Sequence, residues 1–149
     1  MSEMMKINGY IHIRVFDPVT DETKDERFIE NTMCTKGFNK YLQSVFNAAP
    51  AEALRGTFIA IGTTATQEVA GDTAMEAEVD RKGGTFSHTE DTAQGTVAYT
   101  FSTGGPWGIV EMGLFDASAA GTMISRGTFD VVNKGTADSF EATYVHSLS

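Results

Sequence analysis

The stretch Trp107 to Phe129, WGIVEMGLFDASAAGTMISRGTF, decides the fold. Two apolar-rich runs flank Ala117-Ser118-Ala119-Ala120, which Gly121 closes. Small, glycine-containing loops between alternating runs are a hairpin signal. A four-residue loop between Asp116 and Gly121 sets Glu111 opposite Arg126. In that register Val110, Met112, Leu114, Met123 and Phe129 form a core face. The other face carries Ile109, Glu111, Phe115, Ile124 and Arg126, an opposite-charge pair among bulky apolar groups. Something else must cover a face of that composition, either this chain's own helix or a neighbouring subunit. Ile109, Phe115 and Ile124, with Trp107 at the base of the hairpin, are the interface candidates. The pair itself is expected to be partly buried, with Arg81 and Glu78 as further members of its network. An exposed pair would contribute only about 0.2–1 kcal/mol.

Strand signals surround this hairpin. Tyr10 to Asp17 (YIHIRVFD) alternates without a fault, with Ile11, Ile13 and Val15 on one face, the pattern of a half-buried strand. Asp17-Pro18 opens a polar turn, and Glu26 to Ile29 returns as its partner. Thr57 to Gly62 is a short apolar strand stopped by glycine, followed by a polar surface loop. Thr85–Thr89 and Thr96–Thr103 continue as an antiparallel meander, broken at Gly104-Gly105-Pro106. Ser139 to Leu148 alternates again. Two helical signals interrupt the strands. In Thr35 to Asn47, Phe38, Tyr41, Leu42, Val45 and Phe46 form one apolar stripe with Thr35 placed as N-cap. Asp72 is placed to cap one or two turns through TAMEAEVDR, with Met75 and Val79 on one side. The expected fold is mainly β: an antiparallel β-sandwich or barrel of about eight strands, with one amphipathic α-helix packed on it.

Composition narrows the function. The 149 residues are read as a single domain, large enough to bury roughly 70% of the surface that the unfolded chain exposes. Eleven basic residues scattered among twenty acidic ones give a net charge of −9. That balance offers no basic patch for a phosphate backbone, so nucleic acid is not an expected partner. No apolar run is long enough for a transmembrane helix, so no membrane is expected either, and the first residues lack the pattern of a signal peptide. The single cysteine, Cys34, has no partner for an internal disulfide and no metal-ligand spacing around it.

Chemistry-bearing motifs are sparse. His12, His88 and His146 fall on three separate expected strands, outside any HxH or HExxH pattern. The acidic turn Asp17, Asp21, Glu22 and Asp25 lacks the spacing and central glycine of a calcium loop. GxSxG is absent, and the glycine pairs lack the Lys-Ser/Thr and helix of a phosphate loop. Glu76 and Glu78 read as solvated carboxylates. No catalytic residue, metal or cofactor is expected. Trp107, with Tyr99 and Phe101, offers a carbohydrate-binding module as a remote alternative.

Several segments, taken together in order, resemble a family of small tailed-bacteriophage virion proteins. They are NTMCTKGFNKYLQSVF, FIAIGT, DTAMEAEVDR, VEMGLFDA and GTMISRGTFDVVNKGTAD. The resemblance runs from about Asn31 onward, and its most specific pieces are Glu78 to Arg81 and Glu111 to Phe115 with Arg126. Met75 and Met112 stand where the family leads one to expect Leu and Ala. The resemblance implies a non-enzymatic structural protein of the virion, made in the host cytoplasm. Its partners would be other virion proteins, the major capsid protein or tail and neck proteins, with homo-oligomerisation in the particle. A capsid decoration (cement) protein and a tail, neck or baseplate component both fit. The acidic charge and the lack of a long helical or repetitive extension favour decoration.

Overall fold

In β1 (Ile7–Phe16) the alternation of the sequence becomes burial: Ile11, Ile13 and Val15 are fully buried, while Tyr10 stays exposed. The structure, a computed structural model, describes residues 6–46 and 56–148. β2 (Thr23–Glu30) returns antiparallel to β1 after the turn at Asp17, where Asp21 holds positive φ and Arg14 donates to its carboxylate at 2.9 Å. The chain then crosses to a second sheet as β3 (Thr32–Met33) and enters α1 (Thr35–Phe46). β4 (Phe58–Gly62), β5 (Glu78–Gly83), β6 (Thr85–His88), β7 (Gln94–Phe101), β8 (Trp107–Phe115), β9 (Met123–Lys134) and β10 (Ser139–Leu148) follow.

The strands form two antiparallel sheets of five. The first runs β2-β1-β10-β7-β6 and the second β3-β9-β8-β4-β5. One apolar cluster draws on both: Ile11, Ile13, Phe140 and Tyr144 from the first sheet, Ile59, Ile61, Met112 and Leu114 from the second. Each side is turned by continuous chain that passes between sheets, β2 to β3 through Asn31 and β5 to β6 through Gly84.

The structure holds ten strands among its described residues rather than about eight. The additional ones are β3 and β5. β5 occupies the end of the segment read as helical turns. Its sequence, EVDRKG, is charged and looks unlike a strand, but an edge strand needs only one partner and tolerates charge on its open side. The meander also departs from expectation. β6 and β7 do pair as a hairpin, but β7 then pairs with β10, and the Gly104-Gly105 break carries the chain across to the other sheet.

α1 joins the two sheets. Gly37 lies on the backbone of Ile124 in β9, and the Tyr41 hydroxyl bonds to Nδ1 of His146 in β10. The contact line is therefore Gly37–Tyr41, leaving Phe38 and Leu42 exposed rather than forming the expected buried stripe. The side chains of Val45 and Phe46, and the connection read over residues 48–56 apart from Gly56, lie outside the described part. Thr35 is not the cap. The carbonyl of Cys34 accepts the first helical bond from Phe38 N–H, while both the amide and the hydroxyl of Thr35 donate to Ala70.

Burial at this junction holds His146 neutral, with its pKa lowered from 6.5 to about 4. Between these values the unfolded chain binds a proton that the folded chain refuses, so stability is fully present above pH 6.5 and falls with the pH. About 2 kcal/mol of that loss lies between about pH 7 and pH 5, a window above most carboxylate titrations. Urea midpoints across the window check this: the slope should flatten in His146→Gln, which keeps an acceptor for Tyr41. An equal slope in both proteins would assign it elsewhere.

Candidate functional site

The hairpin β8–β9 carries the most concentrated polar chemistry in the chain, and local backbone irregularities put it there. The turn is held by Asp116, whose carboxylate accepts from Thr122 N–H at 2.7 Å, with Ala120 and Gly121 at positive φ. Two register shifts follow, between Leu114 and Phe115 and between Ile109 and Glu111. Arg126 consequently stands opposite Gly113, and Glu111 opposite Thr128, so the two charges meet diagonally instead of directly. The same shifts re-sort the faces. Ile109 and Ile124 join Met112 and Leu114 in the cluster shared by the sheets. Phe115 and Met123 turn the other way, into a smaller cluster with Cys34 and Ala60.

Glu111 and Arg126 are 0% and 1% exposed. Arg126 donates from Nε and Nη2 to Glu111 Oε2 at 3.0 and 2.9 Å. Glu111 Oε1 accepts from the amides of Glu76 and Ala77, each at 3.0 Å. The remaining arm of the guanidinium, Nη1, reaches Asp72 at 2.9 Å, and Glu76 lies 3.8 Å from Nη2. Gly62, opposite Glu111, makes room for this: a Cβ there would sit 2.4 Å from Glu111 Oε1.

What covers this face is the loop of residues 63–77 between β4 and β5. Helix α1, expected to cover part of the hairpin, packs on it at Ile124, pairs Lys40 with Asp116 at 3.0 Å, and bonds the loop through Thr35. Met75 packs on the small cluster, and Thr66 N–H and hydroxyl bind the Glu76 carboxylate. The Thr128 hydroxyl binds Glu68. Asp72 and Glu76, read from sequence as a helix cap and a solvated acid, are the partners that fasten the loop. Their loop has no periodicity to fix which side chains turn inward, so the sequence did not mark them as partners of Arg126.

Charges respond as this geometry requires. Burial acts to lower the Arg126 pKa, but hydrogen bonds to Glu111 and Asp72 outweigh it and the net shift is upward. The bonds from Thr66 hold Glu76 below the ordinary carboxylate range. Burial pushes the Cys34 thiol up to about 11, which disfavours a nucleophilic thiolate.

The other expected members sit beside the cluster and do not join it. Arg81 donates to Glu78 at 2.6 Å and to the carbonyls of Ala117 and Ala120, and it lies 3.6 Å over the Phe115 ring. It ties β5 to the hairpin turn. Among the interface candidates, Ile109, Phe115 and Ile124 are buried within the chain itself and present no surface to a partner. Trp107 is half-buried, its ring against Gly104 and 5.7 Å from Nζ of Lys134, so it is not an open platform. Lys134, which the sequence reading missed, is itself buried. It donates to the carbonyls of Gly104 and Gly135, and burial lowers its pKa.

The three histidines remain apart on β1, β6 and β10. No group of three or more potential metal ligands occurs among the described residues. Ser125 Oγ lies 3.5 Å from His146 Nε2, but Ser125 is fully buried. A hollow of about 700 Å³, open and polar, lies between the 63–77 loop and β9, with Thr63, Thr66, Glu68, Thr128 and Asp130 on its wall. No helix among the described residues is long and apolar enough to cross a membrane. No protein-family model matches the chain, and neither a curated protein nor a solved structure is significantly similar to it.

Proposed function

We propose that this chain is a non-enzymatic structural protein of a tailed-bacteriophage particle, with capsid decoration as its role. One observation supports this reading above others. The residues most specific to the virion-family resemblance, Glu78 to Arg81 and Glu111 to Phe115 with Arg126, are those that lock β5, the hairpin turn and the 63–77 loop to the second sheet. What the resemblance shares is a fastening device, built of buried ion pairs and backbone bonds. A protein selected to hold shape under mechanical load has use for such a device. We read the two sheets, with their shared cluster, as a β-sandwich. Such a domain can offer its loops and edges to neighbouring shell subunits, and symmetry multiplies weak contacts.

Quantitative mass spectrometry of purified particles tests the proposal. Hundreds of copies per particle are expected. A few or a dozen copies would move the protein to the tail or neck, and its absence from particles would overturn the virion reading altogether.

A further inference from the structure

We infer that the hollow between the 63–77 loop and β9 is a binding site for an uncharged saccharide. Its wall has two sources. Beyond Arg126 the period of two in β9 turns Thr128 and Asp130 to one face, and the loop brings Thr63, Thr64, Gln67 and Glu68 against them. The same wall carries three apolar residues, Val110, Phe129 and Val131. Val110 stands at the register shift between Ile109 and Glu111, so it reaches this wall instead of the core face expected for it.

The hydrogen-bonding character of the wall selects the ligand. The Thr66 hydroxyl donates to Glu76 and the Thr128 hydroxyl to Glu68. With their protons committed, both oxygens are left to accept, beside the carboxylates of Glu68 and Asp130. Thr63, Thr64 and the Gln67 amide supply donors. A sugar hydroxyl both donates and accepts, and the C–H faces of a sugar ring match Val110, Phe129 and Val131. Other ligand classes fit less well. No lysine, arginine or histidine lines the hollow among the described residues, so an anion would enter a chain of net charge −9 without a counter-charge. Arg27, which feels the charge of Asp130, is held by both carboxylate oxygens of Asp25. An organic cation would meet Asp130 exposed and hydrated, and one Glu68 oxygen already taken by Thr128. A wholly apolar ligand would strip carboxylates and hydroxyls of water with nothing in return. The volume, about 700 Å³, falls within the range of small-molecule sites, roughly 300–1,000 Å³. Because the hollow is open to solvent, it suits the end of an oligosaccharide. The inference rests on this hollow alone and does not depend on the virion reading.

A glycan array probed with the labelled full chain tests it, followed by titration of the strongest glycan while backbone amide shifts are recorded. The probes are neutral trisaccharides of glucose, galactose and N-acetylglucosamine, with spermidine as the cationic control. Amide shifts confined to residues 63–68 and 128–131 are expected. Gln67→Ala and Asp130→Ala, both at exposed positions, should each weaken binding by about tenfold, the worth of one good hydrogen bond. Matching thermal transitions would show that the fold is kept. Trp107→Phe, outside the hollow, should bind as the parent does. An array silent toward every neutral glycan would overturn the inference. Spermidine shifting these amides where neutral glycans do not would overturn it too, as would binding that Trp107→Phe abolishes and Asp130→Ala spares.

Discussion

An Arg126→Met variant is expected to lose about 3–5 kcal/mol of unfolding free energy, the usual consequence of leaving one member of a buried ion pair alone. Methionine fills much of the arginine volume, so the loss does not come from a cavity. It comes from Glu111, which is 0% exposed and would keep its negative charge with only the amides of Glu76 and Ala77 to compensate it. Asp72 would lose its partner too, which loosens the 63–77 loop. For a chain of this size the melting temperature should fall by on the order of 10 °C.

The companion variants separate charge from hydrogen bonding. Glu111→Gln keeps a carbonyl oxygen for the two loop amides and leaves Arg126 paired with Asp72, so its cost should be nearer about 1–3 kcal/mol. Glu111→Leu orphans those amides as well as the guanidinium and should cost at least as much as Arg126→Met. Urea denaturation of all three would establish the order. If Arg126→Met unfolds within about 1 kcal/mol of the parent chain, the cluster is not the lock described here.

The part of this cluster legible in the sequence was its centre. Glu111 and Arg126 are conspicuous because ionised groups seldom sit in apolar strands without each other. Their partners were not legible, because Asp72 and Glu76 lie in a loop whose small polar residues have no periodicity to fix a direction. Burial alternation placed the core residues of β1 correctly, since an uninterrupted period of two leaves only one choice of face. The same rule failed in the decisive hairpin. Register shifts at Ile109/Glu111 and Leu114/Phe115 break the period, sending Ile109 to the cluster shared by the sheets and Met123 to the smaller buried cluster on the other face. A bulge costs little locally and leaves no signature in side-chain type, so strict alternation misassigns the residues around it.

Gly37→Ala gives a sharper version of the same lesson, because sequence and structure predict opposite signs. Glycine within a helix is destabilising by roughly 0.5–1 kcal/mol relative to alanine, so the sequence alone recommends the substitution as a stabilising one. The packing forbids it. A Cβ at position 37 would lie 2.1 Å from the carbonyl oxygen of Ile124, a backbone atom of β9 that cannot rotate away. Either α1 lifts from the sheet or β9 bends, and β9 carries Arg126 two residues further on. Overpacking of this kind typically costs about 1–3 kcal/mol, enough to outweigh the helix-propensity gain. Lifting α1 would also strain the bond from Tyr41 to His146 and the attachment of Thr35 to Ala70. The expected result is a destabilised variant with raised hydrogen exchange in both α1 and the 63–77 loop. Asn39→Ala, two residues away on the exposed side of the helix, should be neutral or slightly stabilising. A Gly37→Ala protein that melts higher than the parent would mean that α1 does not sit against Ile124, and the join between the two sheets would have to be drawn elsewhere.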